Sequence, residues 1–116
     1  MGDINNMLKA KENRIKEVLI EVNIFPNLKG FNYIVDAIDE INLGAKSMTE
    51  IYENIAINNK TKYLSVERAI RTAFSHCDKE NLSYKKYFGN SMSNSERLFT
   101  LCCKINNEFD GEDTNE

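Results

Sequence analysis

Apolar residues along this chain recur at gaps of three and four, the spacing that places side chains on one face of a helix. The first such run is Ile4, Met7, Leu8, Ile15, Val18, Leu19 and Val22, and Pro26 marks the end of that helix or lies just beyond it. A second run, Phe31, Ile34, Val35, Ile38 and Ile41, stops at Gly44, a natural C-terminal cap. Ser47-Met48-Thr49-Glu50 reads as a capping box opening a third helix with Ile51, Tyr52, Ile55 and Ala56 inward. After the polar break Asn58 to Thr61, a fourth helix is expected, with Thr61 as its N-cap and Val66, Ala69, Ile70, Ala73 and Cys77 as its buried stripe. Asp78 to Asn81 interrupts again, and Leu82 to Phe88 makes one or two turns before Gly89. A second capping box, Ser93-Asn94-Ser95-Glu96, opens the last helix, whose stripe is Leu98, Leu101, Cys102, Ile105 and Phe109.

No strand-like alternation competes with this pattern. It predicts an all-α protein: one compact domain of five to six helices over residues 1–109, containing a helix-turn-helix. Residues 110–116 are acidic and poor in apolar side chains, and are expected to be a disordered tail.

The third and fourth helices, joined by a short polar turn, form the helix-turn-helix. Ala56 is small enough to let the fourth helix cross closely, with Ile55, Val66 and Ala69 filling the crossing. The outward side of the fourth helix then shows Ser65, Glu67, Arg68, Arg71 and Thr72. Arginine pairs with guanine through two hydrogen bonds in the major groove, and glutamate accepts one from cytosine. Hydroxyls of Thr61, Tyr63 and Ser65 near the helix start suit phosphate contacts, as do the helix-end amides. Lys60 and Lys62 are expected to position the backbone, and Arg68 to read a base.

Charge refines this reading. The net charge is −3, which on its face disfavours a polyanionic partner. Its distribution reverses the argument. Residues 60–86 hold seven bases against three acids, whereas residues 1–59 hold six bases against nine acids. Lys85 and Lys86 extend the basic stretch into the short fifth helix, where they are candidates for phosphate contact.

Other chemistries find little support. His76 is the lone histidine, and its neighbour Cys77 cannot face it from the next position of a helix. No zincin, P-loop or dinucleotide-binding motif occurs, so no catalytic residue, metal or cofactor is assigned. Cys77, Cys102 and Cys103 lack metal-ligand spacing and read as ordinary reduced thiols. No segment has the apolar length of a membrane span or the apolar centre of a signal peptide, so the expected address is the cytoplasm.

The run Ser65-Val66-Glu67-Arg68-Ala69-Ile70-Arg71 resembles the recognition helix of the C-terminal effector-domain family of stage-zero sporulation protein A, the response regulator of entry into sporulation. The resemblance extends from about Ile15 to Ile105. It takes in Leu28-Lys29-Gly30-Phe31, Ala37-Ile38, Tyr52 with Ile55-Ala56, Tyr87-Phe88-Gly89 and Asn94-Ser95-Glu96. It implies a six-helix domain that binds short boxes of double-stranded DNA, often as a head-to-tail pair, and regulates transcription. It also implies contact with the sigma subunit of RNA polymerase through the region between the recognition and last helices, which is shorter here.

Carried over, Glu67 and Arg68 match the family's groove residues by identity and Arg71 matches the next basic position. An earlier family arginine is replaced by Ser65, which removes one base contact. The family's regulators begin with a receiver domain of about a hundred residues or more, for which this chain has no room. It reads as a stand-alone relative or an excised fragment. A rival reading is a protein-interaction module that pairs with a full-length regulator and antagonises it, with little DNA affinity of its own.

Overall fold

A computed structural model describes the backbone of residues 2–114 and the side chains of residues 6–110. Six helices follow one another: α1 (Gly2–Glu21), α2 (Lys29–Asn42), α3 (Met48–Asn58), α4 (Tyr63–Ser75), α5 (Leu82–Phe88) and α6 (Asn94–Thr114). No strand occurs among the described residues, and none of their helices is long and apolar enough to cross a membrane. The all-α architecture expected from the periodicity is the one observed.

The core is a single cluster drawn from all six helices. Ile15, Val18 and Leu19 of α1 meet Phe31, Ile34 and Ile38 of α2, Ile51 and Ile55 of α3, Val66 and Ile70 of α4, Tyr87 and Phe88 of α5, and Leu98 and Leu101 of α6. Each predicted stripe supplies most of these residues. Two departures are informative. Met7 and Leu8 are exposed, so the first half of α1 reaches beyond the helices it packs on. In α4 the stripe includes Phe74, edge-on to Phe88 at 5.6 Å between ring centroids, while Cys77 is only partly buried beyond the helix end.

Helix ends follow local chemistry. α1 stops at Glu21, before Pro26, because Asn23 takes a left-handed conformation (φ 77°) and the Ile24 amide turns back onto the Leu19 carbonyl at 2.8 Å. Gly44 (φ 104°) ends α2 in the same way, with Ala45 N–H donating to Glu40 at 2.9 Å. Both serines cap their helices: Ser47 Oγ accepts from Glu50 N–H at 3.2 Å, and Ser93 Oγ from Glu96 N–H at 3.1 Å, although Glu50 reaches back to Lys46 N–H at 3.0 Å rather than to Ser47. The Glu96 carboxylate completes the second box by accepting from Ser93 N–H at 3.1 Å.

Beyond Phe109, where the apolar stripe ends, the backbone continues as α6 to Thr114. The side chains of residues 111–116, which carry most of the expected acidic tail, lie outside the described residues.

One polar cluster fastens the ends of the chain together. Arg14 of α1 donates to Glu108 of α6 at 3.0 Å, and the Tyr87 hydroxyl of α5 bonds both. Burial alone would raise the Glu108 pKa, but bonds from Tyr87 and Arg14 outweigh it and hold that carboxyl below its ordinary value.

Candidate nucleic-acid interface

The turn between α3 and α4 is built without glycine. Asn59 closes α3, and Lys60 occupies the left-handed region at φ 54°. Its amide donates to Ile57 O at 3.2 Å, and the Thr61 amide to Ala56 O at 2.9 Å, the double bond pattern that usually has glycine in the place of Lys60. This corrects the expected cap of α4. Thr61 is still engaged in closing α3, so the chain becomes extended only at Lys62 (φ −104°, ψ 150°), which is the N-cap and supplies no side-chain bond. Amides of the first turn of α4 are therefore left without a side-chain acceptor, at the positive end of the helix dipole.

α4 rests on α2 and α3, burying Val66, Ile70, Ala73 and Phe74. At about 100° per residue, Arg68 lies almost diametrically opposite that buried stripe. Arg68, Ser65, Arg71 and Thr72 are all exposed, and among the described residues Arg68 has no carboxylate partner. Arg71 is tied to Glu67 one turn earlier at 3.2 Å. Glu67 is half-buried beside Tyr52, whose hydroxyl is pushed up to about 12 by burial, with Glu67 and Tyr63 adding to the shift. The Tyr63 ring meets Tyr52 edge-on at 5.5 Å, so this residue secures the first turn of α4 to α3 as well as offering a hydroxyl.

Lys60 and Lys62 are exposed at the turn and Thr61 is partly so. Six of the nine residues from Lys60 to Thr72 singled out in the sequence thus stand at the start or along the outer side of one helix, with Glu67 half-buried on its flank beside Tyr52 rather than outward as expected, and Thr61 and Tyr63 engaged in holding it. Lys85 and Lys86 are not on α4, and Lys85 lines a cleft with Lys79. They sit on α5, which rests on α6 and α1; Lys85 bonds Glu80 at 3.1 Å and Lys86 stands 5.2 Å over the Tyr87 ring.

Three cations that sequence reasoning did not single out border α4. Lys29, at the start of α2, shares a groove with Arg68 and Thr72. Lys79 and Arg97 line a second cleft with Arg71 and Ser75 at the other end of the helix. Arg97 is oriented there by the Tyr84 hydroxyl at 2.9 Å and by Asn94 Oδ1 at 2.8 Å. Only the tertiary fold brings Lys29 and Arg97 to α4, whereas Lys79 follows it in the chain. The advance sign of Lys29 and Arg97 was helix-terminal position, since both fall in first turns where a base opposes the dipole, and that of Lys79 was its place in the basic stretch 60–86.

Two helices joined by this tight turn, the second carrying an outward arginine, define a helix-turn-helix domain. The chain belongs to the family described as sporulation initiation factor Spo0A C terminal, whose model matches residues 15–105. That family is the DNA-binding effector domain of a sporulation response regulator, a regulatory domain rather than an enzyme. No curated protein and no solved structure matches the chain.

Proposed function

We propose that this domain is a sequence-specific transcription regulator that binds double-stranded DNA by laying the outer side of α4 in the major groove. The observation that carries the reading is Arg68: opposite the buried stripe, exposed and unpartnered among the described residues. A guanidinium held this way offers two donors to a guanine edge without first breaking an ion pair. Glu67 and Arg71 act as a unit, since binding exchanges their mutual ion pair for a base contact by Glu67 and a base or phosphate contact by Arg71.

Lys60, Lys62 and the uncapped amides at the start of α4 contact the phosphate backbone, with the hydroxyls of Thr61, Tyr63 and Ser65 supporting them. Lys29 extends the same backbone contact from α2, and Thr72 faces the groove it shares with Arg68. Lys85 and Lys86 lie on α5, where Lys85 shares a cleft with Lys79, and serve flanking DNA or a protein partner such as the polymerase sigma subunit. The domain proper is residues 1–109, and pairing of two copies head to tail on adjacent boxes follows from the family reading.

Fluorescence anisotropy tests this with a duplex carrying a sporulation-regulator box beside a scrambled duplex, across a salt series. The reading expects a preference of roughly a thousandfold and a steep fall of affinity with salt. Weak and equal binding to both duplexes contradicts sequence-specific recognition of that box. The rival antagonist reading draws on the net charge of −3, and predicts no binding even at low salt.

A further inference from the structure

We propose that Leu64 is a specificity-determining residue that packs against the 5-methyl group of a thymine, in the position beside Ser65. The inference rests on the reading that α4 enters the major groove.

Leu64 is the second residue of α4 and is 59% exposed. The stripe Leu64, Arg68, Arg71 and Ser75 follows the i, i+4, i+7, i+11 spacing of a single helix face, and all four residues are exposed. Leu64 and Ser65 fall roughly 40–60° to either side of Arg68 on the helix circumference. A helix inserted with Arg68 at its centre therefore carries Leu64 to the bases too. Recognition helices of this architecture contact base edges with their N-terminal residues, which is where Leu64 stands.

The chemistry selects the partner. The floor of the major groove is a pattern of hydrogen-bond donors and acceptors, and its one apolar group is the thymine methyl. A leucine brought against any other base edge would cover donors or acceptors that it cannot satisfy. Against thymine it removes apolar surface from water on both sides. Ser65 adjoins it with a short side chain, leaving Leu64 the longer reach at this end of the helix. Among the exposed large apolar side chains of the described residues, Leu64 is the one that α4 carries.

The test begins by selecting a preferred duplex from a random library with the full chain. Each thymine of that duplex is then replaced in turn by deoxyuridine, which keeps every hydrogen-bonding group and lacks only the methyl. At one thymine the replacement should weaken wild-type binding about three- to fivefold. Leu64→Ala, at an exposed helix position that tolerates alanine, should bind the thymine duplex correspondingly less well and lose nothing further with deoxyuridine. The inference is overturned if no deoxyuridine replacement matters to the wild type, or if Leu64→Ala keeps the same methyl dependence. In either of those cases a selected duplex still binds, so the major-groove reading survives. If selection yields no preferred duplex, that reading fails and the role of Leu64 fails with it.

Discussion

Gly30, in the first turn of α2, lies directly against the backbone of Ala69 in α4: a Cβ atom at Gly30 would stand 2.3 Å from the Ala69 carbonyl oxygen and 2.7 Å from the Ala73 Cβ. Neither neighbour is the end of a flexible side chain, so neither can yield cheaply. The approach fixes where α4 sits on α2, and with it the direction in which Arg68 points. Gly30→Ala should therefore destabilise the fold by about 1–3 kcal/mol or more through overpacking. DNA affinity should also fall under conditions where circular dichroism still shows a folded helical protein. Urea titration and anisotropy on the same variant check both; an unchanged midpoint would show that α2 and α4 separate at little cost.

Lys60 holds a left-handed conformation that costs a non-glycine residue about 1 kcal/mol or more. Lys60→Gly should raise stability by up to about 1 kcal/mol, less the greater freedom glycine gains in the unfolded chain. If Lys60 contacts phosphate, the same variant should lose DNA affinity equally on specific and random duplexes, and its salt slope should become shallower by about one. Stability and binding then move in opposite directions, which a merely structural lysine would not produce.

Asp39 of α2 provides a pH signature. Burial, and then the facing Glu12 carboxylate of α1, push its carboxyl up to about 8, well above the ordinary 3.8. The folded state thus holds a proton there that the unfolded chain has released. The contribution is fully present below about pH 4 and is lost progressively as pH rises through about 8. Asp39→Asn should raise the melting temperature at pH 8 more than at pH 5. An equal shift at both values would mean that the carboxyl does not titrate between them.

Arg68 and Lys29 should separate reading from positioning. Arg68→Ala should relax preference at one base pair at a cost of about 1–3 kcal/mol on the preferred duplex, with a much smaller effect on random DNA. Lys29→Ala should weaken all duplexes alike. Competition anisotropy with single-base variants of the preferred duplex resolves the two. Equal loss on specific and random DNA for Arg68→Ala would remove its base-reading role.

Much of the architecture was legible from local chemistry alone. The stripes of α2, α3 and α6, the cap at Gly44, the Ser47 cap and the Ser93–Glu96 capping box depend on residues within a few positions of each other, and they formed as expected. The start of α4 was misplaced by one residue because the cap of one helix overran the entry to the next. Thr61 has a good N-capping side chain, but its amide is needed at Ala56. Glycine's absence from the turn concealed its tightness, since Lys60 takes the strained conformation instead. Lys29, Lys79 and Arg97 were missed for a different reason. Each is ordinary in its own segment: Lys29 and Arg97 reach the borders of α4 only through the approach of α2 and α6, and Lys79 through the loop that leaves α4.

On this reading the outer side of α4 is the DNA-binding surface. The most direct test is to map backbone amide chemical shifts of the isotope-labelled domain as the preferred duplex is added. The largest changes are predicted at residues 60–72 and at the start of α2 around Leu28–Gly30, with Phe74-side core amides little affected. Changes concentrated on α1, α5 or the second half of α6, with α4 silent, would contradict it.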